Sequence, residues 1–83
     1  MGFKNLYYID RDYIWRYTQP VMTGHYIDWR KDAGGGFIYG PRGYSEHWLD
    51  DRGYIYSPKG YTQCYVQNKT IYGPEGVLTF LDK

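Results

Sequence analysis

Eighty-three residues make one domain with a thin core, since a chain of this size buries only about 60–65% of the surface its unfolded form exposes. A net charge of +1 excludes bulk attraction to nucleic acid or an anionic membrane, and the single Cys64 excludes an internal disulfide. No apolar run approaches the ~20 residues of a membrane-crossing helix, and Met1-Gly2-Phe3-Lys4-Asn5 carries no hydrophobic leader, so the chain reads as cytoplasmic.

The aromatic share is 22%, with 12 Tyr beside 11 Gly and 4 Pro. Tyrosine and tryptophan suit the pleated, half-buried face of a strand, and Gly and Pro suit tight turns. An all-β chain of short strands follows. No stretch keeps apolar residues at three- and four-residue spacing long enough for a helix.

In chain order, Tyr8-Ile9-Asp10 and Tyr13-Ile14-Trp15, followed by Gln19-Pro20, form a worn first copy of a hairpin. The second copy sets Tyr26-Ile27-Asp28 against Ile38-Tyr39, across the long tip Trp29-Arg30-Lys31-Asp32-Ala33-Gly34-Gly35-Gly36. The third sets Trp48-Leu49-Asp50 against Ile55-Tyr56 across Asp51-Arg52-Gly53, and the fourth sets Tyr65-Val66-Gln67 against Ile71-Tyr72 across Asn68-Lys69. Three of the second strands run into a shared turn block: Ile38-Tyr39-Gly40-Pro41-Arg42-Gly43, Ile55-Tyr56-Ser57-Pro58-Lys59-Gly60 and Ile71-Tyr72-Gly73-Pro74-Glu75-Gly76. Proline fixes the first corner of such a turn, and glycine two places later supplies the freedom for positive φ.

The repeats therefore span approximately 7–23, 24–45, 46–62 and 63–77, with residues 78–83 expected as a closing strand. Four antiparallel hairpins in a meander, closed by pairing of the N- and C-terminal strands (Phe3 to Ile9 with Val77 to Leu81), would leave no free sheet edge. Period-2 alternation puts Ile9, Ile27, Leu49 and Val66 on one face with Ile14, Ile38, Ile55 and Ile71. Tyr8, Tyr26, Trp48, Tyr65, Trp15, Tyr39, Tyr56 and Tyr72 take the other, so an aliphatic interior and an aromatic exterior are expected. A contiguous aromatic exterior suits an interaction surface, and self-association is one way to cover it.

This glycine-and-aromatic hairpin pattern, over about residues 24 to 77, resembles the MORN repeats of scaffold proteins and the choline- or glucan-binding wall repeats. Met22-Thr23-Gly24 and Glu46-His47-Trp48 echo the Thr-Gly-Trp ending of the latter. The resemblance implies a hairpin array used for binding and assigns no ligand.

Candidate ligand-binding residues lie where cations meet rings. Arg42 sits beside Tyr39 and Tyr44, Lys59 beside Tyr56 and Tyr61, with Trp48 between the two blocks, a pairing suited to an anionic, stackable molecule. The long tip offers Trp29, Arg30 and Lys31, with Gly34–Gly36 as a possible phosphate cradle. His25, His47 and Cys64 share one repeat position, which closure would bring together as candidate zinc ligands, although buried polar groups more often satisfy one another. No cofactor motif and no nucleophile-and-base pattern is present, so the chain reads as a non-enzyme. A cytoplasmic protein that sequesters a small anionic, nucleotide-like ligand, as an oligomer, is the expectation. The alternatives are a small phage or bacterial inhibitor acting on a protein partner, and a glycan-binding module.

Overall fold

A computed structural model describes residues 4–17 and 21–82. Phe3 and the dipeptide Gln19-Pro20 lie outside the described residues.

Eight antiparallel strands form a meander: β1 (Lys4–Asp10), β2 (Tyr13–Arg16), β3 (Met22–Trp29), β4 (Gly36–Gly40), β5 (Gly43–Leu49), β6 (Tyr54–Ser57), β7 (Gly60–Gln67) and β8 (Thr70–Gly73). The sheet closes into a barrel because β8 returns to β1, pairing Asn5 with Tyr72 and Tyr7 with Ile71. Closure removes the open edges that a chain with so thin a core would otherwise expose.

The four expected hairpins are present. Ile9 faces Ile14, Ile27 faces Ile38, Leu49 faces Ile55 and Val66 faces Ile71, so each hairpin contributes one aliphatic pair to a ring of eight inside the barrel. Ile14, Ile38, Ile55 and Ile71 have no exposed surface. Full burial of each contributes about 1.5–3 kcal/mol.

Beyond this ring, a bulge recurs on the first strand of each later repeat. Thr23, Ser45 and Thr62 each donate a side-chain hydroxyl to the carbonyl of Ile14, Ile38 or Ile55 across the barrel wall (2.6–2.8 Å). Each hydroxyl also accepts the backbone N–H two residues on, from His25, His47 or Cys64. The residue between, Gly24, Glu46 or Gln63, is driven to positive φ. The register shifts by two residues at each bulge, so the inward–outward alternation of the strand is kept through it. His25, His47 and Cys64, two places before the inward Ile27, Leu49 and Val66, point by alternation into the same end of the barrel, with Tyr7 at the corresponding place on β1 after a register shift near Leu6.

Residues 78–83, expected as the closing strand, have a different role, with Lys83 outside the described residues. Thr79–Asp82 form a short 3-10 helix that plugs this end, burying Leu78 and Leu81 to 2% and 1% exposure. Parity explains the difference: in an up-and-down barrel a ninth strand would run parallel to β1, whereas β8 already meets β1 antiparallel. Phe80 enters between the two imidazoles, stacked on His47 at 4.2 Å and edge-on to His25 at 5.3 Å.

Tyr7 latches the plug. Its hydroxyl donates to Asp82 Oδ1 at 2.8 Å and reaches the Leu78 carbonyl at 3.3 Å. Burial above all, then the hydrogen bond and charge of Asp82, push the phenol well above its ordinary 10.0. A folded-state value above the unfolded one means that the stabilisation is complete below pH 10 and is lost as the pH rises beyond it. The urea midpoint is therefore expected to fall above pH 10. Tyr7→Phe should flatten that fall while lowering stability at neutral pH by about 0.5–1.5 kcal/mol.

Candidate functional site

Outside the barrel the rings form arcs. Tyr13, Tyr26, Tyr39, Tyr44 and Phe37 make one, with neighbouring centroids 5.5–5.7 Å apart. Trp48, Tyr56, Tyr61, Tyr54, Tyr65 and Tyr72 make a second, which includes a 4.5 Å stack of Trp48 on Tyr56. Tyr8 stacks on Trp15 in a third. Register causes this: Tyr26 faces Tyr39, Trp48 faces Tyr56 and Tyr65 faces Tyr72, and cross-strand rings at that spacing interact.

The two turn units expected from the sequence are present and alike. Tyr39 faces Tyr44 and Tyr56 faces Tyr61, each pair 5.5 Å apart and tilted by 47°. Arg42 and Lys59 sit exposed at the corners between them. Neither forms an ion pair among the described residues.

The Arg42 unit is the more enclosed, because the C-terminal plug lies beside it. His25, Gly40, Pro41, Arg42, Gly43, Tyr44, Ser45 and Phe80 line a cleft of about 480 Å³. Gly40 makes the wall possible: a Cβ there would lie 2.5 Å from the His25 ring. The Nδ1 of His25 lies 3.2 Å from the Thr23 carbonyl, which can only accept, so in the neutral ring the proton sits on Nδ1 and Nε2 is left as an acceptor. Burial, with Tyr39 and Glu46 alongside, raises the Tyr44 phenol, which stays a neutral donor. The cleft thus offers one guanidinium, one phenol, one imidazole and the ring of Phe80.

Of the Lys59 unit, Tyr61 borders a more open outer groove lined also by Arg52, Tyr54, Tyr65, Val66 and Gln67, and Lys59 itself does not line it. Arg52, Tyr54 and Phe80 are not among the ligand-binding candidates that the sequence offers, and Tyr65 enters there only as an outward-facing ring. The adjacency of Arg52 to Tyr54 beside a hairpin tip was the available signal for the first two. Phe80 had none, because its segment looks like a strand.

The Gly34 N–H is taken by the Arg30 carbonyl at 2.7 Å, and Gly36 is a buried strand residue paired with Trp29. The Arg30 guanidinium lies 3.5 Å from Asp28 and 5.0 Å over the Phe37 ring. Lys31 is exposed. Trp29 is half-buried against the core at the opposite end of the barrel from Arg42.

His25, His47 and Cys64 do converge on one end, but Phe80 packs between the imidazoles, and burial pushes the Cys64 thiol up, keeping it protonated. Among the described residues no three His, Cys, Asp or Glu side chains are grouped to hold a metal ion. No helix among the described residues is long and apolar enough to cross a membrane. No protein-family model, no curated protein and no solved structure matches the chain.

Proposed function

We propose that this chain is a non-catalytic binding protein that holds a small anionic ligand with a planar ring, of nucleotide size, in the cleft between the Arg42 turn and the C-terminal plug. The observation that carries it is the meeting of Arg42 and Tyr44 with His25 and Phe80 around about 480 Å³, within the range of roughly 300–1,000 Å³ typical of small-molecule sites. An apolar wall with a few convergent polar groups is the composition such sites use. The guanidinium would take the phosphate or carboxylate, and Tyr44 and Phe80 would flank the ring.

Several groups with nucleophilic potential are committed elsewhere, which supports a non-catalytic role. Thr23, Ser45 and Thr62 hold the bulges, and Cys64 is a buried thiol. Self-association through the tyrosine belt belongs to the same proposal, because Tyr13, Tyr44 and Tyr61 each keep more than 40% of their surface exposed.

Titrating the purified protein with nucleoside monophosphates, followed by calorimetry and native mass spectrometry, tests both parts. Saturable binding is expected, with Arg42→Ala weakening it at least about tenfold at little cost in stability. Lys59→Ala should bind as the parent does. Absence of binding across the nucleotide panel, or undiminished binding by Arg42→Ala, would remove the cleft as the site; a strictly monomeric mass would remove the self-association.

A further inference from the structure

The far end of the barrel carries a feature that turn formation alone does not explain. The tips of β1–β2 and β7–β8 are two-residue loops whose corner residues, Arg11 and Asp12 at one and Asn68 and Lys69 at the other, all have positive φ (53–72°). Such turns favour Asn and Gly at both corners, because left-handed backbone crowds the Cβ of any other side chain. Asp12 and Asn68 tolerate that conformation comparatively well. Arg11 and Lys69 do not, so each tip keeps a long cation at the corner where glycine would be less strained.

Those two cations border one cleft. Ile9, Arg11, Asp12, Trp29, Val66 and Lys69 enclose about 330 Å³, with Ile9, Trp29 and Val66 as an apolar floor continuous with the core. Neither Arg11 nor Lys69 forms an ion pair among the described residues, and one carboxylate, Asp12, stands against the two cations. The rim is fixed by backbone bonds: Ile9 N–H donates to the Lys69 carbonyl at 2.7 Å, and Ile27 N–H to the Asp12 carbonyl at 2.8 Å. The strained corners are thus tied in place with their charged side chains beside an indole.

We infer that this cleft is a second binding site, independent of the one beside Arg42, for a small organic anion: an apolar or aromatic body seated on Trp29, with a phosphate or carboxylate between Arg11 and Lys69. Backbone strain retained at non-glycine residues, where relief is a single substitution away, marks function when those same side chains line a cavity. The volume admits one ring and one acid group, which excludes a whole dinucleotide.

Phenyl phosphate is the probe, with inorganic phosphate and phenol as its two halves, followed through the Trp29 indole N–H and the Ile9 and Val66 methyl resonances. Phenyl phosphate should shift these saturably and at least about tenfold more tightly than either half. The decisive variant is the double change Arg11→Gly and Lys69→Gly. It keeps both rim hydrogen bonds, since they use backbone carbonyls, and it removes the corner strain. The variant is therefore expected to melt at the parent temperature or above it while losing at least about tenfold in affinity. Arg42→Ala should bind phenyl phosphate here unchanged, which keeps this outcome separate from that of the other cleft. Unshifted Trp29 resonances, a double variant that binds like the parent, or one that melts well below it would each overturn the inference, the last by showing that the cations serve the turns.

Discussion

Deletion of residues 78–83 is expected to unfold the barrel at room temperature. Leu78 and Leu81 are almost wholly buried, and removing two such side chains forfeits about 3–6 kcal/mol of transfer free energy. A domain of this length has only about 4–12 kcal/mol in total. The loss does not stop there, because the plug also covers the inward ends of His25 and His47 and supplies the Asp82 partner of Tyr7. The single substitution Leu81→Ala should cost about 2–5 kcal/mol by the same route. Circular dichroism during urea or thermal unfolding reads both variants. A deletion variant melting within a few degrees of the full chain would show that the strands alone carry the stability.

That plug is also where sequence reasoning fell short, and the reason is physical. Val77 to Leu81 is apolar enough to pass for a strand, and periodicity over five residues cannot tell a strand from a turn of helix. The strand count could have decided it, since four hairpins already make an even, self-closing set. The eight strands themselves are legible, because Ile-Tyr before each turn block and aromatic-aliphatic before each tip fix both the register and the inward face. Closure is legible in kind, though its partner is β8 and not the terminal segment.

At the candidate sites, the turn triads are legible because cation and rings sit within six residues of one another, Tyr39 to Tyr44 and Tyr56 to Tyr61. The inward aim of His25, His47 and Cys64 is legible from alternation and their shared repeat position, but the bulge before each is not. The Thr or Ser two residues before each is the signal for that bulge, for it recurs as strictly as the inward residue and its hydroxyl bonds the neighbouring strand's carbonyl there. What no local pattern supplies is the encounter of Phe80 with His25, or of Trp29 with Arg11 and Lys69. Both depend on which strands close the barrel.

Gly35→Ala is expected to be the most damaging single methyl added to the chain, at about 3–4 kcal/mol, and the control Gly43→Ala shows why. Both glycines have positive φ, 69° and 106°, so both substitutions incur the backbone penalty of roughly 1–2 kcal/mol. At Gly43 a Cβ would meet nothing within 4 Å, and the penalty should end there. At Gly35 it would fall 2.1 Å from the Leu49 carbonyl oxygen and 2.8 Å from the Asp50 carbonyl, both backbone atoms that no rotamer change can move. Relief requires the long tip to lift away from the end of β5. The glycine run of that tip is thus a packing device that lets one hairpin lie against the next. Measured by urea unfolding, Gly35→Ala should exceed Gly43→Ala by about 2 kcal/mol, because steric contact and backbone strain act together only at the first. Equal costs at the two positions would mean that the tip yields freely, and a role for its glycines in ligand binding would then have to be reopened.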